Sequence, residues 1–589
     1  LAAAWVPPLF SRIFSKNNSS QQQQTIMENL PYFGELVELL PLWGLAVLTV
    51  AVVAALGYTG ASIYLWSAAV AALLYGTGAG TGAWIGLGVF FVLFGIPPVR
   101  AAVFSDTIMK LMKSFNFLPV ISETEKTAIE AGTVWIDGEL FSGKPDFNRI
   151  LNEAYPELTS EEKAFLNGPV EELCRVTSDW DVFVNKDLPK EAWDIIKKEK
   201  FFGLIIPKEY GGLGFSALMN SAVVAKLSSR CGPLATTVMV PNSLGPAELL
   251  IHYGTQAQKD HYLPRLATGE EIPAFALTEP NAGSDAGAIA ANGIVFRGPD
   301  GQLYIRLNWK KRYITLAAIS TVLGLAFKLR DPENLLGKGE DLGITCALIP
   351  TSKEGVALGR RHDPLGVPFY NCPTEGRDVI VPIDAIIGNA EGAGRGWRML
   401  MESLAAGRGI SLPASAAGGI KMVARATGAY ATIRRQFGLS IGKFEGIEEP
   451  LARIGGYTYI LEAARRYTCG ALDKGAKPAV VTAIAKYNFT ETMRKAINDG
   501  MDVLGGAAIS RGPRNLMATG YMAVPISITV EGANILTRTL MIFGQGAIRC
   551  HPYAFKEIDA LTKGDVKAFD DNFTSHIGHV VRNLSRSIL

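Results

Sequence analysis

Cysteine is scarce in this chain and badly placed for cross-linking. Cys174, Cys231, Cys346, Cys372, Cys469 and Cys550 are the six present, with no CxxC among them. That spacing excludes a disulfide framework and a close-spaced zinc site, and scattered thiols fit a reducing compartment. The six histidines form no HExxH or comparable pair, so no metal is expected. Charge of one sign is also missing: 57 basic against 55 acidic residues leave +2, which carries no nucleic-acid footprint. At 19% charged and 48% apolar the chain is too poor in charge to be disordered and rich enough to build packed cores. At about 150 residues per domain, 589 residues make three or four.

One absence is local. Residues 42–96 contain no Lys, Arg, Asp, Glu or His, which accounts for the mean hydropathy of +0.19. A membrane-spanning helix needs about 20 apolar residues. The expectation is therefore a transmembrane hairpin over 41–98, of two or three passes, interrupted at Gly60 and 76–82. Arg100, Lys110 and Lys113 behind it place the C-terminal side in the cytoplasm. Residues 1–40, with the glutamine run 21–24, read as a disordered N-terminal segment. Gly78-Ala79-Gly80-Thr81-Gly82-Ala83 matches GxGxxA, but no strand precedes it inside a βαβ unit, so it is rejected as a nucleotide site.

Residues 99–156 read as a linker, with Pro119, Gly143, Pro145 and little periodicity. From 157 to 270 the signals are helical: capping boxes at Thr159-x-x-Glu162 and Thr255-x-x-Gln258, and Pro189 in the first turn before Ala192, Ile195 and Ile196. From 271 to 393 short apolar runs at 314–325, 344–349 and 379–381 between Gly, Asn, Asp and Pro predict a β domain. From 394 to 552 long helical stretches at 396–426, 448–474 and 477–506 suggest a four-helix bundle.

Four segments carry chemistry. The run Phe275-Ala276-Leu277-Thr278-Glu279-Pro280-Asn281-Ala282-Gly283-Ser284-Asp285 is a strand end entering a loop of small polar residues. Such a loop offers N–H groups and hydroxyls to an electron-rich ring or an anion, though its composition equally suits a surface turn. Arg312-Tyr313-Ile314-Thr315 sets an aromatic beside a hydroxyl, either for stacking on a flat cofactor or as a strand with one exposed ring. Arg434-Arg435-Gln436-Phe437-Gly438 places two arginines at a helix end, for a pyrophosphate or for solvent. In Ile528-Thr529-Val530-Glu531-Gly532 a lone carboxylate follows an apolar run, as a desolvated base or as a capping acid.

In this order and spacing the four segments resemble the acyl-CoA dehydrogenase family. The Thr278-Glu279-Pro280-Asn281-Ala282-Gly283-Ser284-Asp285 loop is the most specific, and residues 203–214 (Gly-Leu-Ile-Ile-Pro-Lys-Glu-Tyr-Gly-Gly-Leu-Gly) look like that family's N-terminal helical domain. The apolar front, the segment 135–141 and the run 530–552 resemble the bacterial FadE-type members of β-oxidation. The resemblance covers about 160–552 and implies an acyl-CoA dehydrogenase-like fold: an α-helical domain, a middle β domain and a C-terminal four-helix bundle, behind N-terminal transmembrane helices.

It further implies FAD-dependent conversion of medium- to long-chain fatty acyl-CoA to trans-2-enoyl-CoA. A carboxylate takes the α-proton while the β-hydride leaves to flavin N5. Glu531 matches the base, and Gly407, before Arg408, matches the position where some relatives carry it instead. Arg408 looks like the arginine near that carboxylate, and Ser284 and Gly532 match substrate contacts. Phe275, Leu277, Thr278, Gly283, Ser284, Tyr313, Ile314 and Thr315 match the flavin side, with tyrosine replacing the usual tryptophan at 313. Arg434, Gln436 and Phe437 match residues meeting the FAD of a neighbouring subunit, and Gly505 and Gly506 a later cofactor segment in which Asp502 replaces a glutamine. The implied partners are an electron-transfer flavoprotein or similar acceptor, the membrane, and a second copy in a homodimer or larger assembly. The implied place is the bacterial inner membrane, catalytic part in the cytoplasm. Residues 553–589 look like the start of a further C-terminal region, the rest of which is expected to be missing. An oxygen-using acyl-CoA oxidase and a non-catalytic membrane-tethered scaffold are the competing readings.

Overall fold

Both capping boxes form. In the computed structural model, Thr159 Oγ1 accepts the Glu162 N–H and the Glu162 carboxylate accepts the Thr159 N–H, opening the helix Ser160–Asn167; Thr255 and Gln258 do the same for Gln256–Thr268. The structure describes residues 42–115, 117, 123–130, 132–153, 155–243 and 245–588, so the segment 1–40 read as disordered lies outside the described residues. These fall into two units: residues up to 120 with 140–145 and 551–589, and residues 121–139 with 146–550.

In the larger unit a set of helices runs from Ser160–Asn167 to Gln256–Thr268. They close over Leu173, Ile196, Phe201, Phe202, Met219, Val223 and Leu234, all buried. Burying a side chain of that size stabilises by about 1.5–3 kcal/mol.

A seven-stranded sheet follows: β1 (Pro273–Ala276), β2 (Asn292–Arg297), β3 (Leu303–Thr315), β4 (Val322–Arg330), β5 (Asp341–Pro350), β6 (Val356–Leu358) and β7 (Asn371–Pro382). β1 and β2 share one edge of β4 end to end, both parallel to it, while β5 runs antiparallel along the other edge. β3 lies antiparallel between β2 and β7. The run at 314–325, expected as one strand, is the end of β3, a 3₁₀ turn at Ala317–Ile319 and the start of β4; Leu316 at φ +65° turns the chain there.

On β3, Ile305, Leu307, Trp309 and Lys311 alternate inward at the period of a strand. The next inward residue is Ile314, because a bulge opposite β7 shifts the register from Lys311–Thr374 to Ile314–Cys372. Tyr313, at φ +59°, is thereby thrown outward with more than half its surface exposed.

The last part of this unit is helical: Gly396–Ile433, Glu445–Asp473, Ala479–Leu504 and Ala518–Thr529. Two glycines of the first helix permit close approach: a Cβ on Gly418 would stand 2.0 Å from the Ala225 carbonyl oxygen, and one on Gly409 2.6 Å from Thr482 Cγ2.

The smaller unit corrects the reading of 41–98. The chain there forms Leu42–Thr59, Ile63–Gly76 and Thr81–Phe90, the last continuing to Gly95 before Pro97–Arg100. Among the described residues no single helix is long and apolar enough to cross a membrane; one pair, Thr81–Gly95 with Pro97–Ser114, passes by length and composition but is bent by 81°. Gly60 and 76–80 break the run into pieces, as the sequence suggested. The stretch read as a linker also holds short helices, among them Asp106–Ser114, Glu123–Glu130 and Ile136–Phe141. Helices of fewer than three turns leave no periodicity to read.

In the same unit Arg100 pairs bidentately with Asp570 (Nε–Oδ1 2.9 Å, Nη2–Oδ2 2.7 Å), and Ser105 donates to the same carboxylate. His551 Nδ1 accepts the N–H groups of Tyr553 (3.2 Å) and Ala554 (3.1 Å), opening the helix Ala554–Lys563. The His576 ring lies 4.4 Å away, centroid to centroid, and the His579 ring 5.3 Å. Burial and those two neighbours push His551 down to about 4. Because the folded value lies below the unfolded one, this contribution to stability is present above about pH 6.5 and is lost as pH falls toward 4. Exchange protection at residues 554–563, corrected for the intrinsic pH dependence of amide exchange, is expected to fall over that window in the wild type, and less so in His551→Asn; an equal fall in both contradicts the cap.

Candidate active site

The helix Ala518–Thr529 ends at Val530, and the next short helix begins at Asn534. Between them Glu531 (φ +53°) and Gly532 (φ +90°) both take the left-handed conformation. Glycine adopts it freely, whereas a glutamate there costs on the order of 1 kcal/mol. The turn survives because its carbonyls are held. Arg408 Nε donates to Glu531 O at 2.9 Å, and Thr537 Oγ1 to Gly532 O at 3.1 Å. Lys486 Nζ donates to Gly532 O at 2.8 Å, to Ile528 O at 3.3 Å and to Asn534 Oδ1 at 2.6 Å.

Glu531 is half-buried as a residue, but its Oε2 is sealed from solvent and accepts no hydrogen bond among the described residues. Desolvation raises its pKa, opposed by the charges of Arg408 and Lys486. A capping acid would spend its oxygens on backbone N–H groups, so the capping alternative does not describe this side chain. Gly407 lies beside it: a Cβ there would stand 3.9 Å from Glu531 Oε2 and 3.7 Å from Ser243 Cβ. A carboxylate oxygen that is buried and unpartnered, with raised affinity for a proton and only a glycine beside it, is equipped as a general base.

A second cluster lies on the β sheet. Lys311 and Glu279, both buried, form an ion pair at 2.8 Å. Lys311 also donates to Leu277 O at 2.9 Å, and the Glu279 carboxylate accepts the N–H groups of Ala290 and Ala291. Burial pushes Lys311 down to about 8, while Lys311 and the two N–H groups hold Glu279 below its ordinary value. Arg312 N donates to Thr278 O, tying the loop to the bulge of β3. Phe275, Leu277, Thr278, Tyr313, Ile314 and Thr315 are thus gathered at one end of the sheet, with Gly283 and Ser284 exposed on the loop. Around the bulge, Arg312 Nε, His362 Nε2 and Asn371 Oδ1 are buried without hydrogen-bond partners among the described residues. Asn371 lies opposite Thr315, and the His362 ring is 5.0 Å from Tyr313. Unsatisfied buried polar atoms beside an exposed aromatic face fit a flat heterocycle with polar edges, the isoalloxazine of FAD.

The third group stands apart. Arg434 ends the helix Gly396–Ile433, and Gln436 pairs with Leu439 in a small hairpin whose tip, Phe437, is 94% exposed at φ +51°. Gly505 and Gly506 are exposed, and a Cβ on either would meet nothing within 4 Å. Among the described residues no hydrogen bond links these groups to Glu531 or to the loop 277–285. Sequence reasoning missed Lys486, Asn534, Lys311, Glu279, His362 and Asn371. Only Lys311 left a signal, a lysine at an inward position of an alternating strand.

The chain matches the acyl-CoA dehydrogenase N-terminal domain at 165–270, the middle domain at 274–379, the C-terminal domain at 394–542 and the bacterial-type C-terminal domain at 548–589. Protein HemX of Proteus mirabilis is 62% identical over 104 residues, 18% of this chain and 61% of that one. The 3-(aryl)acrylate reductase of Clostridium sporogenes is 34% identical over 329 residues, 54% of this chain and 81% of that one. The mouse mitochondrial very long-chain specific acyl-CoA dehydrogenase is 29% identical over 418 residues, 69% of this chain and 61% of that one. The chain thus spans about three fifths of the length of the Proteus and mouse proteins. Butyryl-CoA dehydrogenase from Megasphaera elsdenii shares the fold at a TM-score of 0.59 and 24% identity, over 67% of this chain and all of that one.

Removing one partner of a buried ion pair strands the other charge at a cost of about 3–5 kcal/mol. Lys311→Met and Glu279→Gln are each expected to destabilise the protein by about 3 kcal/mol in denaturant unfolding and to loosen bound FAD. A change below about 1 kcal/mol in both, with FAD content unaltered, contradicts the pinned loop.

Proposed function

The chain belongs to the acyl-CoA dehydrogenase family, FAD-dependent oxidoreductases of CH–CH bonds, and on that premise we propose that it converts medium- to long-chain fatty acyl-CoA to trans-2-enoyl-CoA, the opening oxidation of fatty-acid breakdown. The observation that carries this reading is the Glu531 carboxylate, whose Oε2 is buried without a hydrogen-bond partner among the described residues and lies 3.9 Å from where a Cβ on Gly407 would stand.

Glu531 takes the proton from C2 of the thioester. That proton is weakly acidic, so the carboxylate must be ionised yet poorly solvated. Burial supplies the second condition, and Arg408 and Lys486 the first. The negative charge then moves toward the thioester oxygen, where the N–H of Glu531 is the expected donor: its carbonyl is tied to Arg408, and no backbone acceptor takes its N–H among the described residues. FAD, when bound, supplies the acceptor for the β-hydrogen. Tyr313 and Thr315 would hold its ring, the loop 277–284 its polar edge, and Ser284 would meet the pantetheine of CoA. Arg434, Gln436, Phe437, Gly505 and Gly506 would serve the cofactor of a second subunit; the exposed hairpin at Phe437 supports a homodimer or larger assembly.

An electron-transfer flavoprotein is the proposed acceptor. Membrane attachment at the bacterial inner membrane, with the catalytic part on the cytoplasmic side, is proposed from the exposed apolar side chains on the helices between 42 and 95, such as Trp43, Val50, Val53, Trp84, Ile85 and Val89. Full-length protein is expected to float with phospholipid vesicles; recovery only in the lipid-free fraction removes the membrane from the proposal.

Palmitoyl-CoA should bleach the flavin anaerobically and yield enoyl-CoA. Glu531→Gln should keep FAD and lose roughly a thousandfold or more in bleaching rate. Only the deprotonated carboxylate accepts a proton, and the pKa is raised. The rate should therefore climb with pH through a midpoint above the ordinary value of about 4.3. Unchanged turnover in Glu531→Gln moves the base elsewhere.

A further inference from the structure

The polar groups behind the Glu531 turn converge on one side chain. Lys486 stands near the middle of the helix Ala479–Leu504 and is fully buried. An ammonium carries three N–H donors and no acceptor. All three are used, on Gly532 O, Asn534 Oδ1 and Ile528 O, at 2.8, 2.6 and 3.3 Å. Lys486 therefore has no donor left for a substrate atom or for the Glu531 carboxylate.

Its bonds flank Glu531 on both sides, from three residues before to three residues after. Asn534 extends the arrangement: its side-chain amide donates to Thr490 Oγ1 at 3.0 Å and to Glu491 Oε1 at 2.8 Å. Thr490 lies one turn beyond Lys486, on the same helix face. One face of one helix thus grips the turn whose backbone is strained at Glu531.

The charges around it complete the picture. Lys486 is faced by Glu531, by Arg408 on the helix Gly396–Ile433, and by Glu491 on its own helix. Glu531 is faced by Arg408 and Lys486. Arg408 also bonds the turn, at the Glu531 carbonyl, but one cation alone opposes the burial of the carboxylate less than two do.

We propose that Lys486 is the positioning residue of the proton-abstracting turn: it acts through Glu531, fixing the turn by hydrogen bonds to two backbone carbonyls and to the Asn534 side chain and setting its ammonium charge beside the carboxylate. This rests on the reading of Glu531 as the base. A lysine that only satisfied a polar pocket would affect stability and nothing else.

The test uses the full chain loaded with FAD and compares wild type, Lys486→Met and Lys486→Arg. Two measurements are made: hydrogen exchange of residues 528–537 without substrate, and anaerobic flavin bleaching by palmitoyl-CoA across pH. In Lys486→Met the turn should exchange faster. At saturating palmitoyl-CoA the bleaching rate should fall roughly tenfold or more, with half-saturation little changed, and the acid-limb midpoint should rise by about one pH unit. Lys486→Arg keeps the charge and should return the midpoint toward wild type. A midpoint and exchange rate that match wild type in Lys486→Met overturn the proposal, even if the variant is less stable. Should Lys486→Met not fold, Asn534→Ala takes its place, with faster exchange and slower bleaching at an unmoved midpoint; exchange and bleaching as in wild type overturn the proposal. Failure of wild type to bleach with any acyl-CoA sinks the Glu531 reading, while the exchange comparison still judges the grip on the turn.

Discussion

A carboxylate withdrawn from water beside two buried cations is the constraint around which the helical half of this protein is arranged. Burial raises the affinity of Glu531 for a proton, and the charges of Arg408 and Lys486 oppose that rise. Full solvation would leave it ionised but too weak for a carbon acid. Neither cation is a freely solvated charge: burial lowers the pKa of both. Each also bonds a carbonyl of the turn, so charge and geometry come from the same atoms. The two cations sit on different helices, Gly396–Ile433 and Ala479–Leu504, whose close packing at Gly409 and Thr482 fixes the spacing.

The sheet solves a related problem with the same device. The loop 277–285 has small polar residues and little apolar surface of its own. It is held by the buried Lys311–Glu279 pair and by Arg312, whose backbone bonds Thr278. The β3 bulge then faces Tyr313 outward while Ile314 returns to the core, so the strand serves the core and the site in consecutive residues. In both places a buried charge pins a segment that local propensity would leave loose.

The α, β, α order was legible because it rests on local signals: capping boxes at Thr159 and Thr255, Gly- and Pro-bounded apolar runs, and long stretches without helix breakers. Strand limits were less so, since the turn at Leu316 needs a left-handed residue that no glycine announces. Glu531 stood out as a lone carboxylate between an apolar run and a glycine, while its role as base came only from the family resemblance. Lys486 did not stand out: its partners Ile528, Gly532 and Asn534 lie more than forty residues away, and a lysine between alanine and tyrosine in a helix carries no mark of burial. The apolar front was legible as uncharged and in its glycine breaks but not in its bend, for a definite reason. Absence of charge measures what a segment avoids and not where it bends, and among the described residues the run is broken at Gly60, 76–80 and Pro97.

Gly407 joins these arguments. Glycine inside a helix costs about 1 kcal/mol relative to alanine, and this one lies within the helix Gly396–Ile433. A larger side chain would reach into the space before Glu531 Oε2, since even a Cβ would stand 3.9 Å from it. A carboxylate at 407 would place two like charges in one small volume, forcing one of them to hold its proton. The site can have its base on the turn or on the helix, and the two choices exclude one another. On the proposed reading of Glu531 as the base, a small residue at 407 keeps a second carboxylate out of the volume beside Oε2, and the lost helix propensity is the cost of that.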